Sequence, residues 1–503
     1  MTDQARREIG QAKAGDAGEV LQAGVAALRT NLAEEALPLL AEAVQTHPDD
    51  AWLWQLKGLL HRTAEDLAPA VEALSTAAAL APADAFIAHS LACATIEAGL
   101  PAVDAFERAL ALAPGEEAPL LGLAESHLVE GETGRAVALL EDRLGRDPSW
   151  LQGHLTLARM RTSRGAPRAA TAGFERALAA MPGAVPLWVA YLQLLYQSER
   201  YEEIPAMVAR ARAAAGAQRD FDAAEAVATA ELGEIEAADP LFDALRPSGD
   251  MTLAVPYVRH LLRAGRPERA GETAAAALKQ APQPILWSYL SAAWRLTGDP
   301  RWQWLEGDPG FVGIYDLAER LPPLDALADR LRALHKATHQ PLHQSVRGGT
   351  QTEGHLFKRI EPEIRALRRA VVEAVEAHVA RLPPRDPGHP LLGPARSPIR
   401  FASAWSVRLA GGGRHANHVH PGGWLSSALY VALPEAPESG PPGAGWLTLG
   451  EISDLDLGLP PLARIEPRPG RLVLFPSTMW HGTVPFESGE RLTVAFDVAT
   501  PVG

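Results

Sequence analysis

The chain has 503 residues, 47% of them hydrophobic, enough to bury large cores and to divide into two or more domains. Its net charge of −14 and sequence pI near 5.6 argue against a nucleic-acid backbone as the main partner, and no run of about 18 apolar residues is present to span a membrane. One cysteine, Cys93, excludes an intramolecular disulfide, and the polar start "MTDQARREIG" lacks the apolar stretch of a signal peptide, so a soluble, cytoplasmic protein is expected.

The first half carries a period. Prolines recur at Pro48, Pro82, Pro114, Pro148 and Pro182, with gaps of 34, 32, 34 and 34, and the beat returns at Pro247 and Pro282. The 65 residues between Pro182 and Pro247 have room for two more units. Small residues stand 12 apart in successive units, at Gly24 and Ala36, Gly58 and Ala70, Ala124 and Ala136, and Ala158 and Ala170. Such a spacing lets the two helices of a unit approach closely, while Trp54 and Phe174 supply bulk where units stack. Each proline closes a second helix, because it cannot continue the backbone ladder, and the acidic or small residues after it ("HPDD", "APAD", "DPSW") open the next. A fixed period in this range is the signature of a solenoid. The pattern resembles the tetratricopeptide repeat over residues 17–295, with residues 1–16 as a tail or capping helix. The resemblance implies an all-α superhelix whose groove holds a peptide or protein segment. The plainer alternative is that the helices scaffold a second domain or a dimer.

After residue 295 the alanine-rich texture ends, and 296–345 reads as a connecting segment. Ile364, Leu367, Val371, Val375, Val379 and Leu382 fall at spacings of three and four, which predicts an amphipathic helix over 361–382. The proline-rich "RLPPRDPGHPLLGPARSP" is neither helix nor central strand. Beyond it, "IRFASAWSVRL", "WLSSALYVAL", "GWLTLGE", "GRLVLFP" and "RLTVAFDV" predict short strands of an antiparallel sandwich or barrel. Ten of the 16 histidines lie after residue 330.

Two of them, His418 and His420 in "NHVHPGGW", follow the glycine stretch "AGGGRHAN" at the mouth of a strand, where period-two alternation turns both imidazoles to one face. His481, after "GRLVLFP", supplies a third group from a neighbouring strand. Three ligands on one side of an ion, with the other side open, is the arrangement of the facial triad of non-haem iron oxygenases, except that His420 stands where the usual motif has Asp or Glu. Other metal chemistries fit less well. A cupin glutamate is missing where Trp424 and Leu425 stand, and "HANH" lacks the glutamate of a zincin.

The stretches "QSVRGGTQTEGHLF", "WSVRLAGGGRHANHVHPGGWLSSALYVALP", "PRPGRLVLFPSTMWHGTVPF" and "GERLTVAFDV" carry a second resemblance, to the 2-oxoglutarate/Fe(II)-dependent oxygenases. More narrowly, the chain is similar to the group of that family fused behind tetratricopeptide repeats, with His-x-His-Pro in place of His-x-Asp. The resemblance implies a double-stranded β-helix (jelly-roll) barrel with flanking helices over 346–503, and a dioxygenase that hydroxylates its substrate using Fe(II), 2-oxoglutarate and O2. It implies His418, His420 and His481 as metal ligands and Arg491 as the anchor of the cosubstrate's distal carboxylate, assisted by Tyr430 and Ser426. His420 either ligates directly or stands behind the metal with water in its place. Three neutral imidazoles would leave the iron its full charge until the cosubstrate dianion arrives, so tight iron binding is expected to need the cosubstrate. The substrate implied by the repeats is a peptide or protein side chain. The rival readings are a small-molecule hydroxylase with repeats used for assembly, and an interaction scaffold with an inactive barrel. Among the remaining residues, His415 reads as a loop or substrate-mouth residue, Asn417 and Trp424 as pocket lining or packing, and Asp497 as a group behind the site or exposed. His335, His339, His343, His355 and His378 read as structural or solvated, with His378 in the core.

Overall fold

The computed structural model describes residues 1–245, 251–342, 344–434 and 441–501; Pro247 and His343 lie outside them. The proline beat is a beat of helix ends. Helices Ala33–Thr46, Leu67–Leu80, Val103–Leu112, Thr133–Arg146, Ala172–Ala180 and Pro267–Gln280 each stop two residues before Pro48, Pro82, Pro114, Pro148, Pro182 and Pro282. Asp50 and Asp84 then open the next helix, their carboxylates accepting N–H bonds from Trp52 and Leu53, and from Ile87. Caps of this kind contribute about 1 kcal/mol each. Between Pro182 and residue 245 two helix pairs appear, Val185–Gln197 with Ile204–Ala215 and Arg219–Glu231 with Ile235–Leu245, in place of the blurred punctuation.

The small residues are buried as expected: Ala36, Ala70, Ala124, Ala136 and Ala158 expose nothing. A Cβ on Gly58 would lie 2.5 Å from Leu74 Cγ and 3.1 Å from the Ala70 carbonyl, so only glycine admits this approach. Phe174 is buried, its ring centroid 4.8 Å from that of His154 and 5.6 Å from that of Tyr191. Trp54 packs, as expected, against the buried cluster that includes Ala27, Leu40, Leu53 and Leu60. It is half-buried, and its Nε1 donates to the Pro48 carbonyl at 2.8 Å. Trp188 makes the same bond to Pro182 at 2.8 Å, and His154 Nε2 pairs with the Pro148 carbonyl at 3.0 Å. A ring donor six residues after the repeat proline therefore ties down the turn between units.

Contacts gather the chain into two units. The first comprises 1–142 together with 353–368. In it, Ile360 packs beside Leu67, Ala70, Leu74, Ala94 and Ala98 and donates its N–H to the Ala98 carbonyl, while Arg368 pairs with Glu65 at 2.8 Å. The second comprises 143–352 and 369–501 and holds the later repeats and every described strand. The predicted amphipathic helix runs over Pro362–Arg381, with Ile364, Leu367, Val371, Val375 and Val379 buried.

The strands are β1 (Gly313–Asp316), β2 (Val346–Gln351), β3 (Phe401–His415), β4 (Leu425–Ala432), β5 (Leu447–Leu449), β6 (Ala463–Ile465), β7 (Arg471–Pro476), β8 (His481–Thr483) and β9 (Arg491–Val498). They form two antiparallel sheets, a six-stranded one in the order β1-β7-β4-β9-β3-β2 and a three-stranded one in the order β6-β5-β8. Two antiparallel sheets agree with the double-stranded β-helix expected from the sequence, and the barrel is not closed among the described residues. Strands β5, β6 and β8 have three residues each, too few to extend the ladder around to the larger sheet. The stretch read as connector supplies β1, which pairs with β7, and a helix at Leu324–Leu334. The glycine stretch read as a loop continues β3 to His415, with a register shift opposite β2 between Arg347 and Gly349.

Candidate metal centre

His418 and His481 exchange backbone hydrogen bonds, 2.9 Å from His418 N to His481 O and 3.0 Å in return. This is the hydrogen-bonded pair of an antiparallel ladder, which sets two side chains abreast on one face. His420 is fixed by its own N–H, which donates to Ser477 O at 2.9 Å. The three imidazoles converge, with one nitrogen of each within 4.8 Å of the others.

Hydrogen bonds settle which nitrogens those are. Nδ1 of His418 lies 2.8 Å from the Ala416 carbonyl and Nδ1 of His481 lies 3.0 Å from the Met479 carbonyl. A carbonyl only accepts, so both Nδ1 atoms carry the proton and both Nε2 atoms keep a lone pair. Nδ1 of His420 meets the Asp497 carboxylate at 2.8 Å, which likewise places a proton on that Nδ1. Burial and the neighbouring imidazoles hold His418 and His481 well below the ordinary histidine range, which keeps both neutral and able to ligate.

Asp497 is itself held. Its carboxylate accepts from Ser426 at 2.7 Å and from Ser403 at 3.1 Å, and the residue is buried. Ser426, expected to assist the cosubstrate's distal carboxylate, has its hydroxyl 2.7 Å from Asp497 Oδ1 and 2.9 Å from Ser477 Oγ. Trp405 stacks on His420 with centroids 5.6 Å apart and planes within 5°. Ser345, which sequence reasoning passed over, places its hydroxyl 3.1 Å from both His418 Nε2 and His415 Nδ1. Nothing in the local sequence marks it. His415 thereby joins the rim of the site, its pKa pushed down to about 3 by burial and then by the Arg491 charge. Asn417 and Trp424 are structural: Asn417 Nδ2 donates to Glu451 O and Trp424 Nε1 to Leu391 O, both at 2.8 Å.

The triad lines a cavity of 40 Å³ together with Ser345, Trp405 and Arg491. Arg491 is 2% exposed, and its Nε and Nη1 have no hydrogen-bond partner among the described residues. Its guanidinium carbon lies 5.0 Å from the centre of the buried Tyr430 ring. Burial raises the Tyr430 pKa, opposed by the Arg491 charge. Of the other histidines, His335 bonds to Thr350 and Ser406, and His378 Nδ1 to the Tyr315 hydroxyl. His378 Nε2 is buried without a partner, so that residue is only half satisfied.

Residues 403–497 match the family model described as "Putative 2OG-Fe(II) oxygenase". The chain thus carries helical repeats followed by a domain similar to the 2-oxoglutarate/Fe(II) oxygenases. The matched span contains all three histidines, Arg491 and Asp497. Among solved structures, the helical half is similar to the MamA protein, 18% identical over 32% of this chain and 92% of that one, with a TM-score of 0.29. It is also similar to YrrB, titled a TPR protein with an unusual peptide-binding site, 15% identical over 34% of this chain and 90% of that one, TM-score 0.29. A third is a thermophilic TPR protein of Thermus thermophilus, 21% identical over 35% of this chain and 96% of that one, TM-score 0.26. The comparison with curated proteins gives no match.

The residues of this oxygenase-type domain fit the groups the family uses. Three converging imidazoles suit Fe(II), and each has an oxygen acceptor on its far nitrogen, the arrangement that fixes ring orientation in metal sites. A buried guanidinium with two nitrogens unpartnered among the described residues suits a carboxylate, since an unpaired buried charge is otherwise costly. The cavity as it stands has room for about one or two waters, so a cosubstrate must displace lining side chains on binding.

Proposed function

We propose that the C-terminal domain is a 2-oxoglutarate- and Fe(II)-dependent hydroxylase whose substrate is a peptide or protein side chain. The observation that carries this reading is the pairing, across one cavity, of three Nδ1-protonated imidazoles with the buried Arg491, whose Nε and Nη1 have no partner among the described residues. His418, His420 and His481 would hold the metal through Nε2, and Arg491 the distal carboxylate of the cosubstrate, over the Tyr430 ring. Bound Fe(II) with 2-oxoglutarate and O2 supplies oxidation of an unactivated C–H bond, with succinate and CO2 as coproducts. Every other task falls to the chain. Asp497 retains the Nδ1 proton of His420 and orients the ring against Trp405. The Ala416 and Met479 carbonyls do the same for the other two imidazoles. The buried lining excludes water, which strengthens each of these polar contacts.

The geometry also suggests how this site manages without a carboxylate on the metal. The negative charge that the usual motif places at the third ligand stands one residue behind it, in Asp497. The side-chain class of the substrate rests on the repeat array ahead of the domain.

The test is an anaerobic titration of the apoprotein with Fe(II), without and then with 2-oxoglutarate, following the visible charge-transfer band of the chelate. A band that needs both additions and is lost in His481→Ala and weakened in Arg491→Ala supports the proposal. No band and no retained iron in the wild type would overturn it.

A further inference from the structure

Within the second unit, a cleft of 740 Å³ lies beside the metal cavity. One wall is made by the ends of the repeat helices Leu151–Ser163 and Val185–Gln197, through Thr162, Gln197 and Ser198. The other is β2, through Gly348, Gly349 and Thr350. Gln344 lines both the cleft and the 40 Å³ cavity, and next to it stands Ser345, with its hydroxyl 3.1 Å from His418 Nε2. Gln344 is thus common to the cleft and to the cavity of the triad.

Three observations say what that occupant is. First, β2 is the last strand of the six-stranded sheet; it pairs with β3 on one side and with no described strand on the other. An unpaired strand edge is a template for an extended chain. Second, the Gly348 N–H donates at 3.3 Å to the side-chain carbonyl of Gln340. An amide side chain thus already accepts from the β2 backbone at its register shift, and Gln340 is an exposed residue of the cleft lining. Third, the charges along the cleft are spoken for: Arg347 pairs with Glu199, and Arg408 and Arg332 pair with Glu490. Among the described residues of the lining, the arginines and glutamates are paired with one another and His339 is the remaining ionisable side chain, whereas the neutral amides of a main chain need no counter-charge.

We propose that this cleft binds an extended peptide segment, which adds as a strand to the free edge of β2 and passes its reacting side chain beyond Gln344 to the triad. Alternate side chains of such a strand would face Thr162, Gln197 and Ser198, which favours small or uncharged polar residues at those positions. The fate of the presented side chain rests on the hydroxylase reading above; the binding does not.

The experiment uses the full-length, iron-free protein and a display library of random decapeptides. Enriched peptides are resynthesised with a fluorophore and their affinity measured by anisotropy for the wild type, Gln340→Trp and Ser198→Trp. Gln340 is exposed, so its replacement fills the cleft without touching a core. The expected result is binding at least tenfold weaker in both variants, together with slowed amide exchange across Val346–Gln351 when peptide is added to the wild type. Failure to enrich any peptide, equal binding by the variants, or exchange protection confined to the repeat helices would overturn the assignment. Because iron is absent, a peptide that binds in this way but is never oxidised with iron and 2-oxoglutarate supplied would count against the hydroxylase reading and leave the cleft assigned.

Discussion

At the scale of single residues, the unusual His420 is intelligible only with Asp497 behind it. Asp497→Asn keeps the shape and loses the charge, and changes to a group that holds a ligating histidine typically cost about 10–100-fold in metal affinity. We expect Fe(II) affinity in the presence of 2-oxoglutarate to fall by about that factor, read by the same anaerobic titration; wild-type affinity in the variant would reduce Asp497 to packing. The i, i+2 spacing drew attention to His418 and His420, although both lie between β3 and β4, where His418 makes only an isolated bridge to His481. Alternation gives the face but not the depth. It grouped Ser426 with Tyr430, and could not tell that the serine hydroxyl turns to Asp497 while the tyrosine ring lies beneath Arg491. Two other histidines bear on stability. Burial, aided by nearby Arg408 and Arg381 respectively, pushes His335 and His378 down to about 4. Both are neutral in the folded chain, while the unfolded chain takes up their protons below about pH 6.5. The unfolded state thus binds more protons as pH falls, and stability should drop between about pH 6.5 and 4. Urea midpoints at about pH 7.5 and pH 5 measure this, and His378→Gln should flatten the difference.

At the scale of elements, the repeat half was legible because its punctuation is physical. A proline cannot continue a helix, and each one stands two residues past a helix end. The bond from Trp54, His154 and Trp188 to the proline carbonyl six residues back was not legible, since only its geometry separates it from packing. In the sheets, the runs that became β3, β4, β5, β7 and β9 are rich in β-branched, aromatic and other apolar residues between Gly and Pro, whereas the three residues of β6 and of β8 are too short to show any such pattern. Close helix approach makes a sharp prediction for the repeats. A methyl on Gly58 would sit 2.5 Å from Leu74 Cγ and against the Ala70 carbonyl, so Gly58→Ala should destabilise by about 1–3 kcal/mol, the usual cost of overpacking. Helix propensity alone would make the same change stabilising by about 1 kcal/mol. The sign of the shift in the urea midpoint therefore decides whether packing governs the position.

At the scale of the whole molecule, composition suggests a cut at residue 295, with repeats on one side and a self-contained oxygenase on the other. The contacts around His481 argue against such independence. The loop that delivers this ligand is held by the last repeat helix, Ile285–Thr297: Ser288 Oγ donates to Thr478 O at 2.5 Å, and Trp480 Nε1 donates to Ser288 O at 3.2 Å. Trp480 also meets the Tyr289 ring edge-on at 5.4 Å, and with Ile452 and Leu455 it belongs to the same buried cluster as Leu286, Tyr289 and Leu290. Arg295 reaches the carbonyls of Gly450 and Pro460. A fragment of residues 296–503 would lose all of these at once and leave Trp480 and Ile452 in water, at a transfer cost of about 1.5–3 kcal/mol for each large side chain. We expect that fragment to hold no iron even with 2-oxoglutarate present, while residues 143–503, which keep the helix, retain the chelate band. In the full chain, Ser288→Ala with Trp480→Phe removes both hydrogen bonds yet leaves the apolar contact largely in place. Iron affinity should then fall several-fold at unchanged secondary structure by circular dichroism. Wild-type iron binding by residues 296–503 would show instead that the repeats end where the composition changes, and that the last helix contributes nothing to the metal centre.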